Sequence, residues 1–239
     1  MSAAWRGAWV LLSFAACGAP APGPTKQPLD PVPGQFLEAL RGGDGGVAFT
    51  LCAPDVAFFA SDVEVHGVAG VQDAVAKLGV PSAAIIDKHH GVARLTLGDG
   101  STLFVRSDDA GHVTEVVRFP AGTNAETPNS LVAYQDAWNV DASGRAPLLK
   151  SGWTAASRYL DPTAEGIGPE GLSKVIDALR AQFPGSRLDA APGVQRVTGG
   201  WVTFDWVLTS SSSELHGFDV ARVDEAGTPA FIAGFFSAR

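Results

Sequence analysis

The chain has 239 residues with a formal net charge of −8, and 46% of its residues are hydrophobic. Because the chain is acidic and lacks the clustered Lys and Arg that neutralise phosphate backbones, we expect no nucleic-acid partner. The length suits one large domain or two small ones. The acidity otherwise indicates only that the chain is soluble.

The N-terminal segment has the layout of an export signal. Residues 1–16 carry one positive charge, at Arg6, and an apolar run that is too short to span a bilayer. The sequence Phe-Ala-Ala-Cys at 14–17 resembles the lipobox of bacterial lipoproteins, with Phe14 where leucine is usual. That resemblance implies that Cys17 is lipidated and begins the mature chain. An ordinary secretory signal with an incidental cysteine is the alternative.

The next segment, 17–32, is rich in proline and lacks the apolar periodicity of a packed element. We interpret it as a flexible tether behind the lipid anchor. Together these features predict a protein of the bacterial cell envelope, on the periplasmic face or the cell surface, with secretion as the alternative. If Cys17 is lipidated, no intramolecular disulfide is possible, and Cys52 is a small core residue in an apolar context.

A first folded domain is predicted over 33–120. Apolar positions at helical spacing predict helices at 33–41 and 71–78. Runs bounded by Gly-Asp-Gly and Asp-Ala-Gly turns predict five strands, at 55–60, 83–87, 91–97, 101–108 and 113–119. The polar segment 121–128 is the predicted linker to a second domain.

The second domain, 129–239, has the clearer pattern. Asn129 or Ser130 is predicted to cap a helix through Asn139, and further helices are expected at 146–152 and from Gly168 onward. The period then changes to two, which predicts strands at 158–161, 187–190, 194–198, 201–209, 214–224 and 229–236. Helices followed by an antiparallel meander imply an α+β domain with its helices on one face of the sheet.

The two domains end in the same strand–turn–strand unit. The units span 103–119 and 219–235, and their turn glycines, Gly111 and Gly227, are 116 positions apart. Self-similarity at the length of a domain indicates a duplication. The copies differ at one position of chemical interest, because Asp219 in the second is matched by Leu103 in the first.

The second domain resembles the SnoaL-like branch of the nuclear transport factor 2-like superfamily. The resemblance covers nearly all of 129–239 and is carried by short motifs in the family's order: Ala137-Trp-Asn139, Tyr159-Leu-Asp-Pro162, Gly168-Pro-Glu-Gly171, Phe183-Pro-Gly185, Trp206, Gly217-Phe-Asp-Val220 and Gly234-Phe-Phe236. It implies a curved antiparallel sheet wrapped by two or three helices into a cone with a pocket. We therefore expect two tandem α+β cones, of which the first is degenerate.

The same resemblance implies a site. SnoaL-like cyclases carry an acid/base aspartate on the strand that holds Asp219, and Asp161 is the second candidate carboxylate, at the mouth of the pocket. A carboxylate among aromatic side chains has a raised pKa, which suits proton abstraction beside a carbonyl. In the alternative, structural interpretation, Asp161 is a turn residue before proline and Asp219 accepts a hydrogen bond from Trp or Tyr.

Aromatic residues of the second domain are the candidate lining of a ligand pocket. Phe204 and Trp206 are two residues apart on one strand and therefore share a face, and Tyr159 and Phe235 complete the predicted lining. Such a lining suits a flat, apolar ligand. Trp201 is expected to face elsewhere.

Other chemistry has no motif in the sequence. We expect no metal, because His89 and His90 would point to opposite faces of a strand and no Cys/His cluster supplies ligands. His216 is predicted to face away from Asp219. The motifs of nucleophilic hydrolysis, phosphoryl transfer and nicotinamide binding are missing from the sequence, so no cofactor is predicted.

Three functions fit these features. The first is an envelope-anchored protein that binds a small apolar molecule in its second domain. The second is a cofactor-independent cyclase, isomerase or dehydratase that uses Asp219, which a lipid anchor would place far from substrates made in the cytoplasm. The third is an interaction module, since such sheets commonly pair, and we expect the two domains to form an intramolecular pseudo-dimer. We favour binding over catalysis, with fold analogy as a prior only.

Overall fold

A computed structural model describes residues 32–80, 86–122, 124–211 and 213–237. The predicted signal peptide, Cys17 and nearly all of the predicted tether lie outside the described residues. Within these ranges, no helix combines the length and apolar character that crossing a membrane requires.

The first half of the described chain forms three helices and a six-stranded sheet. Helix α1 buries Phe36 and Leu37, and α2 begins at a cap in which the Asp44 side chain accepts from the Val47 amide at 3.0 Å. The strand order is β2-β1-β6-β5-β4-β3. The elements are α1 Val32–Arg41, α2 Gly45–Thr50, β1 Cys52–Phe59, β2 Glu64–His66, α3 Val68–Val75, β3 Ile86–His89, β4 Val92–Thr96, β5 Thr102–Ser107 and β6 Val113–Phe119.

The second half repeats this plan with longer strands. Its sheet has the order β10-β11-β12-β13-β7-β8, with β9 paired to β11. A short 3-10 turn, Thr198–Gly200, precedes β11. The elements are α4 Asn129–Ala137, α5 Ala142–Gly152, β7 Arg158–Leu160, β8 Glu165–Ile167, α6 Gly168–Gln182, β9 Arg187–Ala190, β10 Gln195–Arg196, β11 Trp201–Thr209, β12 Glu214–Val223 and β13 Pro229–Ser237.

The register of the sheets shows that the two halves are copies of one α+β fold. In the first sheet Leu103 pairs with Arg118, and in the second Asp219 pairs with Gly234, so both pairs keep the 116-residue offset of the turn glycines. Each sheet contains one parallel pairing, β1 with β6 and β7 with β13. Each sheet is thus antiparallel except at this one pairing, where the first strand of the copy returns beside the last.

Several helix starts differ from the predictions, and α3 begins at Val68 rather than at residue 71. Helix α5 begins at Ala142 rather than Ala146, because the Asp141 side chain accepts from the Gly144 amide at 2.9 Å and Pro147 is accommodated inside the helix. Helix α4 has no side-chain cap, and the Ser130 hydroxyl donates instead to the carbonyl of Gly227. Ser130 thus ties the helix to the final hairpin.

Three apolar clusters hold the molecule together. One lies inside each cone, between helices and sheet, and the third lies between the two sheets. In this third cluster the fully buried Trp201 lies 5.4 Å from Phe104 of the other copy, between ring centroids. Arg222 and Glu115 add an ion pair across the two sheets at 2.6 Å. Whether the copies keep this pairing in solution stays a prediction.

Candidate functional site

Asp219 lies at the centre of the second sheet, on the face that points into the cone. It is 1% exposed, and both carboxylate oxygens are occupied. The Tyr134 hydroxyl donates to Oδ2 at 2.7 Å and the Trp206 indole donates to Oδ1 at 2.8 Å. Ala221 follows Asp219 on this inner face, whereas Phe218 and its alternate residues face the other copy.

Two glycines make room for this arrangement. A Cβ on Gly217 would lie 2.2 Å from the Trp206 ring, so glycine is required for the indole to cross β12 and reach Asp219. A Cβ on Gly234 would lie 3.1 Å from both Asp219 Oδ1 and the Tyr159 hydroxyl oxygen. Asp219, Tyr159 and Asp161 thus converge on Gly234 from neighbouring strands.

Burial dominates the electrostatics of the site. It raises the pKa of Asp219 to about 7, against the lowering effect of the hydrogen bonds from Tyr134 and Trp206. Burial, with the nearby Asp219 charge, also raises the pKa of the Tyr134 and Tyr159 hydroxyls well above their ordinary value. The carboxyl group therefore titrates near neutral pH while the phenols stay protonated.

Asp161 has a structural role through one of its oxygens. Oδ1 accepts from the amides of Thr163 and Ala164, at 2.6 and 2.8 Å, and from the Thr163 hydroxyl at 2.7 Å. These bonds form the turn after β7. Oδ2 is buried and makes no hydrogen bond of normal geometry, although the Asp161 carboxylate interacts with the Tyr159 hydroxyl and contributes to its raised pKa. Asp161 is thus both a turn residue and a candidate site residue.

The aromatic interior beside Asp219 contains two further buried polar atoms. Tyr134 stacks on Trp153 at 5.9 Å, and its centroid lies 6.2 Å from that of Trp138. The indole nitrogens of Trp138 and Trp153 are buried and make no hydrogen bond of normal geometry among the described residues, although the Trp138 indole interacts with the Tyr134 hydroxyl. Reasoning from the sequence missed Tyr134 as a site residue. The available signal was its place in the apolar stripe of α4, which faces the sheet.

The interior is packed. Tyr159, Phe204 and Trp206 are at most 5% exposed, and the five main cavities of the described residues are not lined by Asp219. Phe235 was expected to line the pocket, and this is wrong. Its ring stacks on Phe218 at 5.1 Å between the two sheets, because residues alternate between the faces of β13.

The histidines differ partly from expectation. His89 and His90 do not point to opposite faces, because His90 lies in the turn after β3 with φ 40°, and the ring centroids are 5.7 Å apart. Among the described residues, no group of three or more His, Cys, Asp or Glu is arranged to hold a metal ion. His216 bonds to Glu214 on its own strand face, away from Asp219, as predicted.

Comparisons with known proteins point to one group. No protein-family model and no curated protein matches the chain. Among solved structures, a candidate isomerase of the SnoaL-like family from Agrobacterium tumefaciens is 30% identical over 46% of this chain and 95% of its own, with a TM-score of 0.42.

Two further solved structures are more distant. A candidate SnoaL-like polyketide cyclase from Jannaschia species CCS1 is 16% identical over 48% of this chain and 90% of its own, with a TM-score of 0.40. A candidate ketosteroid isomerase from Kribbella flavida is 16% identical over 49% and 82%, with a TM-score of 0.38. In each comparison about half of the chain, the extent of one copy, aligns with nearly a whole relative.

Proposed function

Since the chain belongs to the SnoaL-like family of nuclear transport factor 2-like proteins, we propose that its second domain binds a small, flat, largely apolar molecule beside Asp219. The observation that carries the proposal is a set of buried polar atoms in the aromatic interior that make no hydrogen bond of normal geometry. The indole nitrogen of Trp153 has no partner among the described residues. The Trp138 indole and one Asp161 oxygen make no hydrogen bond of normal geometry, although they interact with the hydroxyls of Tyr134 and Tyr159 respectively. Buried polar atoms without a partner are rare and costly, and a bound ligand or water satisfies them.

The chemistry of these atoms defines the ligand. Two indole N–H groups call for acceptors, such as a carbonyl or quinone oxygen, and the Asp161 oxygen calls for a hydroxyl or amine donor. The aromatic rings around Tyr134 favour a planar body through stacking. An aromatic or polyketide-like molecule with few polar groups fits this set.

Entry to the interior requires side chains to move. A groove of about 560 Å³ lies between α5 and the start of α6, and Leu149 lines both this groove and the inner cluster. A ligand that enters here displaces Leu149. Helix α5 is suited to such a movement, because Pro147 removes one of its internal hydrogen bonds.

A catalytic role is the second candidate, and the pKa of about 7 at Asp219 favours it. A carboxylate that titrates near neutral pH is suited to take a proton from a carbon beside a carbonyl and return it elsewhere, as an isomerase does. The Agrobacterium relative is named as a candidate isomerase. Against this role, both oxygens of Asp219 are already hydrogen-bonded.

We further propose that the protein is anchored in the cell envelope through a lipid on Cys17. The signal-like segment 1–16 and the proline-rich segment 17–32 support this location. The test is a mass measurement of the protein from a bacterial membrane fraction. A diacylglycerol-sized increase at Cys17 that Cys17→Ser abolishes is expected, and unmodified, soluble protein would overturn the proposal.

The binding proposal is tested by native mass spectrometry of the purified protein after incubation with a lipophilic extract of bacterial envelopes. If the protein binds a ligand, a small molecule should be found bound to it and should be released unchanged. The variant Leu149→Trp, whose larger side chain fills the groove, should not bind this molecule. Conversion of an extract component, abolished by Asp219→Asn, would support catalysis instead. Neither binding nor conversion would reject both functions.

A further inference from the structure

The first copy contains an open cavity at the position that corresponds to the Asp161 and Gly234 side of the second site. Phe58 pairs with Val116 in the first sheet, and Tyr159 pairs with Ile232, the equivalent of Val116, in the second. Phe58 therefore corresponds to Tyr159. Two residues further along the same faces, Ala60 corresponds to Asp161. The antiparallel pairs align Arg118 with Gly234. Phe58, Ala60 and Arg118 all line this cavity, which measures about 590 Å³.

The two copies therefore differ in charge at equivalent positions. The second copy has Asp161, Asp219 and a glycine, whereas the first has Ala60, Leu103 and Arg118. Neither carboxylate is kept, and a guanidinium takes the place of the glycine. The first copy therefore lacks the carboxylates that acid/base chemistry would need, and it carries a cationic side chain at one of the equivalent positions.

Arg118 is held in the cavity wall with part of its guanidinium free. Nε donates to the Ser101 hydroxyl at 3.3 Å and Nη2 donates to Asp99. Nη1 has no partner among the described residues, and the side chain is 37% exposed. The Nη1–Nη2 edge is thus available for a second carboxylate.

The remaining charges of the wall leave this edge available. Asp99 also accepts from the amide and hydroxyl of Ser101, and these hydrogen bonds, with Arg118, lower its pKa to about 2. It stays ionised and engaged. Asp62 and Asp73 are exposed at the rim, where solvent screens them, and Lys77 lies one helical turn after Asp73.

The other walls of the cavity are mainly apolar. They include the side chains of Phe58, Val65, Ala74 and Leu78. A volume of several hundred Å³ with mainly apolar walls and a few polar groups on one side is typical of small-molecule sites. We propose that this cavity binds a small molecule with an apolar body and a single carboxylate, and that the carboxylate contacts Arg118.

Octanoate is the probe that tests this site, and octanol is its uncharged match. We expect the full protein to bind octanoate, as measured by titration calorimetry, and to bind octanol at least tenfold more weakly. Arg118→Gln should lower the affinity for octanoate at least tenfold and leave the affinity for octanol unchanged. Arg187→Gln, at an exposed position in the second domain, is the matched control and should change neither.

A second variant guards against a folding defect in Arg118→Gln. Ala121→Phe adds bulk at the exposed mouth of the cavity and keeps both residues of the ion pair, and it should prevent the binding of both probes. Equal octanoate binding by the wild type, Arg118→Gln and Ala121→Phe would overturn the proposal, as would no binding at millimolar octanoate.

The result is independent of the function proposed for the second domain. All tryptophans among the described residues lie in the second copy. Octanoate bound beside Arg118 should therefore leave the indole NMR signals of Trp138 and Trp153 in place. If octanoate shifts those signals and Arg118→Gln has no effect, the probe binds in the second domain and this proposal is wrong.

Discussion

Leu103 and Asp219 occupy the same position in two copies of one sheet, each fully buried and each facing the interior of its own cone. The apolar residue packs among other apolar side chains, whereas the carboxylate is held by Tyr134 and Trp206. A buried carboxylate is costly unless its oxygens are bonded, so the second copy keeps a polar network that the first has lost.

Asp219 makes stability fall as the pH rises. Its pKa is about 7 in the folded protein and about 3.8 when unfolded, so between these values the folded state holds one more proton than the unfolded state. The stabilisation is complete below pH 4 and is lost by pH 7, a change of about 4 kcal/mol. Asp219→Asn removes this dependence, and its free energy of unfolding relative to wild type should rise from pH 4 to pH 7.

Urea unfolding at several pH values measures this difference. Asp109→Asn is the control, because Asp109 is almost fully exposed and its replacement should give a nearly constant offset from wild type. A constant offset for Asp219→Asn as well would show that Asp219 is ionised in the folded protein at all these pH values.

His89 should act in the opposite direction. Burial lowers its pKa to about 4, against 6.5 when unfolded, and outweighs the opposing effect of the Gly234 backbone, with which neither ring nitrogen makes a hydrogen bond of normal geometry. Between these pH values the unfolded state binds one more proton than the folded state. The contribution of His89 to the free energy of unfolding is therefore complete above pH 6.5 and falls by about 3 kcal/mol as the pH drops to 4. His89→Phe should abolish most of this loss, since the new ring packs on Phe235.

Thermal unfolding at pH 4.5 and pH 7.5 checks the role of His89. The exposed His66 supplies the control, and His66→Gln should keep the wild-type acid sensitivity. If His89→Phe is as acid-sensitive as wild type, the acid loss arises from other groups.

The two site glycines should differ in their tolerance of a methyl group. Gly217→Ala places Cβ 2.2 Å from Trp206 and 2.5 Å from the Phe235 carbonyl oxygen, so it should cost more than about 3 kcal/mol. Gly234→Ala meets its neighbours at 3.1 Å and should cost about 1 to 3 kcal/mol. Chemical unfolding measures both, and equal costs would mean that the Trp206 indole is not held across β12.

Trp201 should hold the two copies together. It is fully buried between the sheets, against Phe59 and Phe104 of the first copy. Trp201→Ala should lower the free energy of unfolding by about 3 to 5 kcal/mol, because the substitution leaves a cavity.

Small-angle scattering of the wild-type folded region should give a radius of gyration of about 17 Å, the value for one compact body. A distance distribution with two separated maxima would contradict the paired arrangement.

Much of the fold was predictable because the signals are local. The final hairpins, the helix from Gly168 and the alternation of Phe204, Trp206 and Asp219 follow from periodicity and turn residues. The parallel pairings and the early start of α5 were not predictable in this way. They depend on a long-range return of the chain and on the cap at Asp141.

The site was only partly predictable for a similar reason. Asp219 and Asp161 are marked by sequence, but Tyr134 is 85 residues from Asp219 and looks like an apolar helix residue until the helix packs on the sheet. Phe235 was misplaced because one residue along a strand decides which face receives the ring. The cavity beside Arg118 has no sequence motif, since residues from several separate elements line it.

The proposed function depends on the binding of a small molecule by polar atoms in the aromatic interior of the second domain. The most direct test is the indole NMR spectrum of ¹⁵N-tryptophan-labelled protein before and after addition of the ligand-bearing envelope extract. Ligand binding should shift the indole signals of Trp138 and Trp153 and leave that of Trp201, between the two sheets, in place. Unchanged Trp138 and Trp153 signals at saturating extract would contradict it.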